Sequence, residues 1–193
     1  AMAEYVASQI ISDISGADMC IDIHASNIFL REIPQVRINE NSKDKLLDYA
    51  KLINTDFIWV HESVTVLEST LAYSLNSIGV PTLVVEMGVG MRITETYCKQ
   101  LVDGIFRLMK EMGIWSGEVK EVREPIVSTD REVGFANANN SGIFIPKASH
   151  WSTIKKNEQI GSILNALTGD IEEEILAPCD GLIFTLREYP VVY

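Results

Sequence analysis

No stretch of about 18 consecutive apolar residues occurs in this chain, and no basic-then-apolar leader opens it, so neither a membrane span nor a signal peptide is expected. Cysteine is scarce. Cys20, Cys98 and Cys179 lie far apart and are odd in number, which offers neither a disulfide framework nor a paired-cysteine metal knuckle and fits a reducing cytoplasm. Basic residues are outnumbered, 16 Lys and Arg against 27 Asp and Glu, and the net charge of -11 argues against nucleic acid or an anionic membrane as a general partner. Repeats, low-complexity tracts and long polar linkers are absent as well. What is there is an ordinary globular composition, 47% hydrophobic and 22% charged over 193 residues, sufficient for one large domain or a domain with a small appendage. Ala1-Met2-Ala3 reads as a cloning remnant.

Helical and strand-like stretches alternate through the first part of the chain. Val6, Ile10, Ile11 and Ile14 keep helical spacing, with Gly16 placed to close the helix, and Met19-Cys-Ile-Asp-Ile-His24 reads as a buried strand. A polar segment holding Asn27, Arg31, Pro34 and Arg37 follows and reads as an irregular, group-bearing loop. Ser42 is placed to cap a helix through Leu46, Leu47, Ala50 and Ile53, ahead of a strand Phe57-Ile-Trp-Val60. Leu67, Leu71, Leu75 and Ile78 form a third helical stripe, and Ile93, Cys98, Leu101, Ile105, Leu108 and Met109 a fourth, closed by Gly113. Between these two lies Pro81-Thr-Leu-Val-Val-Glu-Met-Gly-Val-Gly90, short, β-branched and bounded by glycines, the pattern of a fully buried parallel strand. The alternation predicts an α/β sheet with helices on both faces.

Near Trp115 to Glu124 the rhythm changes. Short β-like runs at residues 124–127, 142–145, 159–164, 174–176 and 181–186 are separated by turn signals such as Thr168-Gly169-Asp170 and Pro178-Cys179-Asp180-Gly181. The expected division is therefore an α/β domain over residues 1–117 and a small all-β, barrel-like domain over 118–193, with Glu188 to Tyr193 resembling a strand cut in progress.

Chemistry concentrates at two strand ends. His24 and Glu86 each close a predicted buried strand, and in a parallel sheet both would reach the same edge, where reactive groups collect. A buried carboxylate costs several kcal/mol unless it is paired, protonated or beside a metal. Imidazole is a good zinc ligand, and a carboxylate beside a zinc-bound water can take its proton and deliver it to a leaving amine. A satisfied core or loop histidine remains the alternative for His24. Asp22 would point the same way as His24 in a pleated strand and could orient the imidazole, or could serve as an ordinary salt-bridge partner.

The stretch Ile21-Asp-Ile-His-Ala-Ser26, followed by Gly79-Val-Pro-Thr-Leu-Val-Val-Glu-Met-Gly88, resembles the second half of the catalytic domain in the succinylglutamate desuccinylase/aspartoacylase family, zinc hydrolases related in fold to the metallocarboxypeptidases. The resemblance implies that His24 is a zinc ligand and Glu86 the catalytic glutamate, on a partial zinc-carboxypeptidase-like mixed sheet, with the β-rich tail as the family's C-terminal domain. It implies zinc as cofactor and, as substrate, an N-acyl amino acid or small peptide-like amide. The family's upstream H-x-x-E segment and N-R pair do not occur, and His61-Glu62 and His150 lack the partners and spacing to replace them. The expectation is therefore a fragment lacking the first half of its catalytic domain and its last strand or two, one that binds zinc poorly, turns over little and self-associates through exposed sheet edge and apolar surface.

Other candidates are fainter. Arg31 and Arg92, with Arg37 as another arginine near the same strand ends, could grip a substrate carboxylate or be ordinary solvated arginines, and Asn27 could hydrogen-bond substrate or merely shape its loop. Tyr73 and Trp59 read as core, and Cys20 as a small core residue. Gly88-Val-Gly90 lacks the third glycine of a dinucleotide loop, and no G-x-S-x-G elbow occurs. Residues 154–161 and 174–181 resemble the half-barrels of biotinyl and lipoyl carriers, yet the turn Leu167-Thr-Gly-Asp170 offers no lysine for modification. The alternative to a hydrolase is a non-catalytic binding or assembly module in which His24 and Glu86 pair with each other.

Overall fold

The computed structural model describes residues 2–62 and 70–193. The chain divides into two compact units, Ala1–His24 with Pro34–Glu86 and Glu95–Arg131, and Ala25–Ile33 with Met87–Thr94 and Glu132–Tyr193. In the first unit, helix α1 (Met2–Ile14) leads to β1 (Cys20–His24), and β2 (Leu30–Asn39) enters the unit at Pro34. Then come α2 (Lys43–Leu52), β3 (Phe57–His61), α3 (Leu71–Ser77), β4 (Thr82–Gly88), α4 (Glu95–Glu111) and β5 (Ile126–Thr129). The strand order is β1-β4-β2-β3-β5, with the β1–β4, β2–β3 and β3–β5 pairs all parallel. This is the expected α/β class. Helix α2 packs against α4 and α1 against α3.

The central strands carry the core. Val36, Ile58, Leu83 and Val85 are completely buried, and Leu75 and Ile53 close over them to the same degree. Side chains of this size each contribute about 1.5–3 kcal/mol when removed from water. On α4 the buried stripe is Gln100, Leu101, Gly104 and Leu108. Ile93, expected on that stripe, lies before the helix and is exposed, as is Cys98. Gly104 is required by packing, because a Cβ there would lie 1.9 Å from the backbone oxygen of Ile53.

Several local expectations change. The segment with Arg31, Pro34 and Arg37 is not an irregular loop but the ten-residue strand β2. Its first residues, Leu30–Glu32, pair antiparallel with a strand of the second unit, and from Gln35 onward it pairs with β3. Pro34, which has no N–H to donate, sits between the two pairings. Ser42 makes no capping hydrogen bond; Asn39 caps instead, its side-chain oxygen accepting from the Asn41 amide at 2.9 Å at the head of a short 3-10 turn before α2. Tyr73 is exposed rather than core. Leu67 of the third helical stripe lies outside the described residues; α3 is capped by Thr70, whose hydroxyl accepts from the Tyr73 amide at 3.2 Å. The run at 124–127, assigned by pattern to the β domain, forms β5 and extends the first unit's sheet, so the first unit continues to Arg131 rather than ending at 117.

A buried polar network holds this extension. Gln100 donates to the Asn54 carbonyl at 2.6 Å and to Asp56 at 2.9 Å, and the Asn54 side chain donates back to the Gln100 carbonyl at 3.0 Å. The Arg123 amide donates to the Asn54 side chain at 2.9 Å, fastening the chain just before β5.

The second unit is mostly β. Strands β6 (Gly142–Pro146), β8 (Gln159–Leu164), β9 (Ile171–Leu176) and β12 (Val191–Val192) form an antiparallel sheet in the order β12-β6-β8-β9. Its core is Phe144, Ile163 and Ile175, with Ile160, Leu186 and Val192 packed on them. The run expected over 181–186 splits into β10 (Gly181–Leu182), which pairs with β7 (Thr153–Ile154), and β11 (Thr185–Arg187), which pairs with the start of β2. At the β8–β9 turn, the Asn165 side chain accepts from the Leu167 and Thr168 amides, and Gly169 adopts φ +78°. No lysine lies in that turn, as the sequence indicated.

Candidate functional site

Strands β1 and β4 are adjacent and parallel, and His24 is the register partner of Glu86. Register partners in a parallel pair point to the same face, and so do residues two apart on one strand. Asp22, His24 and Glu86 therefore share one face of the sheet. His24 is the last residue of β1, and Glu86 lies two residues before the end of β4 at Gly88, which takes φ +74°. The two side chains differ in exposure: that of His24 is half-exposed, whereas that of Glu86 is 11% exposed.

Each has a neighbour. His24 Nε2 lies 3.0 Å from Asp22 Oδ1, the pairing expected of residues two apart on a strand. Glu86 Oε1 lies 3.5 Å from Arg37 Nη1 on β2. The Arg37 guanidinium sits 5.5 Å over the ring of Trp59, its register partner on β3. Trp59 in turn donates its indole N–H to Asp130 at 2.7 Å, and the other Asp130 oxygen accepts from the Glu62 amide at 2.7 Å. Trp59 is thus a polar-ended member of this face and not plain core. His61, two residues on, is pushed below the ordinary imidazole value, chiefly by burial. Cys20, at the start of β1, is pushed up by burial and then by the Asp22 charge, which disfavours the thiolate a nucleophile needs.

The remaining candidates lie in the second unit and are engaged there. The Asn27 side chain accepts from the Phe29 amide at 2.8 Å and the Leu30 amide at 3.1 Å, shaping its own turn. The Asn27 carbonyl accepts from the Gly90 amide at 3.1 Å, and a Cβ on Gly90 would come within 3.0 Å of Asn27 backbone. Arg31 and Arg92 both hold Glu188, at 2.7 Å and 2.5 Å. Arg37, named in the sequence only as one more arginine near these strand ends, is the residue that reaches Glu86. Its signal was present in Val36-Arg-Ile38, a single charge inside an apolar run, opposite in sign to Glu86 in the neighbouring run.

A catalytic zinc site takes three protein ligands and a water. Among the described residues no cluster of three or more His, Cys, Asp or Glu is placed to hold a metal. His24, with one ring nitrogen on Asp22, offers a single donor, so these residues do not form a metal centre by themselves.

The fold is a largely parallel α/β sheet in which His24 and Glu86 meet at neighbouring strand ends. Residues 1–112 match the succinylglutamate desuccinylase/aspartoacylase catalytic domain, and the chain belongs to that family of hydrolases. It is similar in fold to the product-bound ectoine utilization protein EutE (DoeB) of Ruegeria pomeroyi, with 17% identity and a TM-score of 0.81 over 98% of this chain and 58% of that one. A succinylglutamate desuccinylase from Silicibacter gives 14% identity and a TM-score of 0.84, again over 98% and 58% of the two chains. A succinylglutamate desuccinylase/aspartoacylase from Rhodobacter sphaeroides gives 19% and 0.80 with the same coverage. The chain thus spans 58% of the length of these three structures. No curated protein matches it. No described helix is long and apolar enough to cross a membrane.

Proposed function

We propose that this chain carries the general acid/base and one metal ligand of a deacylase acting on an N-acyl amino acid or a small peptide-like amide. The observation that carries the reading is the register pair His24 and Glu86, side by side at the ends of two parallel strands. Glu86 is the proton carrier: a carboxylate fixed at this edge accepts a proton from the attacking water and returns it to the departing amine. Asp22 fixes the ring of His24 through its Nε2 contact, setting which nitrogen remains for a metal. Zinc is the metal the family resemblance implies, with His24 as one ligand and others from outside the described residues, and Lewis acidity is the chemistry it would supply. Asn27, Arg31 and Arg92 stay as the candidates for gripping a substrate carboxylate; Arg31 and Arg92 each reach Glu188, which a substrate carboxylate would have to displace.

A second reading treats Glu86 as the ion-pair partner of Arg37 in a non-catalytic assembly module, and the 3.5 Å contact favours it. One experiment separates the two. In the whole gene product, assayed on N-acyl amino acids including N-succinylglutamate and N-acetylaspartate, Glu86→Gln is expected to lower hydrolysis about 100-fold or more with zinc content unchanged. Hydrolysis at the wild-type rate in Glu86→Gln would overturn the hydrolase assignment of this residue.

A further inference from the structure

We infer that Arg37 is a positioning residue for Glu86, holding the carboxylate in the orientation from which it moves protons. The inference rests on the proton-carrying role of Glu86 given above. Glu86 is nearly inaccessible, and a charge so buried requires an opposite charge near it or costs several kcal/mol. Arg37 supplies that charge from the neighbouring strand. At 3.5 Å from Oε1 the guanidinium is close enough to orient the carboxylate electrostatically.

Arg37 is itself held. A long side chain carries about 2 kcal/mol of rotamer entropy, which would blur any positioning unless something restrains it. Trp59 does this by lying under the guanidinium, and Trp59 is fixed in turn by its indole N–H on Asp130. Asp130 is anchored by the Glu62 amide. The series Glu86, Arg37, Trp59, Asp130 therefore crosses from β4 through β2 and β3 to the residue after β5. Only arginine can use its flat face on an indole and its edge on a carboxylate at once; lysine offers a point charge without the stack.

The test is steady-state kinetics on the whole gene product with the same N-acyl amino acid panel. Arg37→Met is expected to lower kcat about tenfold or more while KM stays within about threefold, the signature of a lost transition-state arrangement rather than lost substrate binding. Arg37→Lys recovers part of kcat by restoring the charge, and Trp59→Leu lowers kcat to an intermediate level. In a Glu86→Gln background, Arg37→Met costs nothing further, because there is no proton carrier left to position. An Arg37→Met enzyme with wild-type kcat, or one whose loss lies wholly in KM, overturns the inference while leaving Glu86 as the proton carrier. A full multiplicative loss in the Glu86→Gln background overturns it as well. Should Arg37→Met fail to fold, Arg37→Lys and Trp59→Leu decide, since unchanged kcat in both is equally fatal. If the wild-type protein hydrolyses nothing on the panel, or Glu86→Gln stays fully active, the hydrolase reading falls first and this inference with it.

Discussion

The imidazole of His24 faces the carboxylate of Asp22 along a single strand, Nε2 to Oδ1, at 3.0 Å. A carboxylate that orients a metal-binding histidine typically governs affinity by roughly 10- to 100-fold when removed. In the whole gene product, Asp22→Asn is expected to weaken zinc retention against a chelator by that factor while the fold stays intact. Equal retention in the two proteins would show that Asp22 does not act on the metal.

Gly104 marks the tightest approach of α4 to the end of α2. A methyl group there would fall 2.2 Å from the carbonyl carbon of Ile53, so α4 would have to shift away from its seat. Gly104→Ala is expected to cost about 3 kcal/mol, the upper end for overpacking, whereas Gly181→Ala, with open space around it, should change stability by less than about 0.5 kcal/mol. Urea denaturation of both variants checks the contrast, and equal midpoints would contradict it.

Acid sensitivity should come in two stages. His61 and His150 are each held below the ordinary imidazole value of 6.5, first by burial, and His150 donates from Nε2 to the Phe184 carbonyl at 2.9 Å. A folded-state value below the unfolded one means that the folded protein binds fewer protons, so stability is full above 6.5 and falls as the pH drops from there toward the folded values. Glu173 is lowered chiefly by the Asn139 side-chain hydrogen bond, and Asp180 by the Lys156 amide. Their contributions are present above the ordinary values of 4.5 and 3.8 and are lost below them, as the pH falls through the folded values. Urea midpoints measured across pH should decline first below 6.5, and that first decline should flatten in His61→Gln/His150→Gln. A slope unchanged by the double substitution would assign the first stage to other groups.

Residues 1–193 expressed alone should self-associate. Helix α1 has no buried residue, although Met2, Tyr5, Val6 and Ile10 are large apolar side chains, and the edge strand β1 leaves Ile23 55% exposed. An apolar helix face and an exposed strand edge each favour pairing between chains. Light scattering should give a mass that rises with concentration; a monomer throughout the range would contradict this.

Periodicity revealed the elements whose burial is one-sided or complete. The β4 run ending in Glu86 and the helical spacing of Leu101 and Leu108 followed from apolar patterning alone; the strand ending in His24 also forms, but as the edge strand β1 with no buried residue rather than the buried strand its pattern suggests. β2 escaped because its burial is not written in apolar residues: Glu32 and Gln35 are as inaccessible as Ile33, and Pro34 signals a break where the strand merely changes partners. β5 escaped for a topological reason, since nothing local distinguishes a short strand that pairs with β3 from one that starts a β domain. The strand-end pair was legible because parallel strands present their ends together. The Arg37–Trp59–Asp130 series was not, as it joins residues from three separate stretches that only the strand order brings side by side.

Glu188 answers to two cations, Arg31 near the start of β2 and Arg92 from the segment after β4. The arrangement is lopsided under substitution. Either arginine can be replaced and the carboxylate still has a counter-charge, but replacing the carboxylate first leaves two guanidiniums facing each other. Sequence drift at these three positions therefore has a preferred order, with an arginine yielding before the glutamate does.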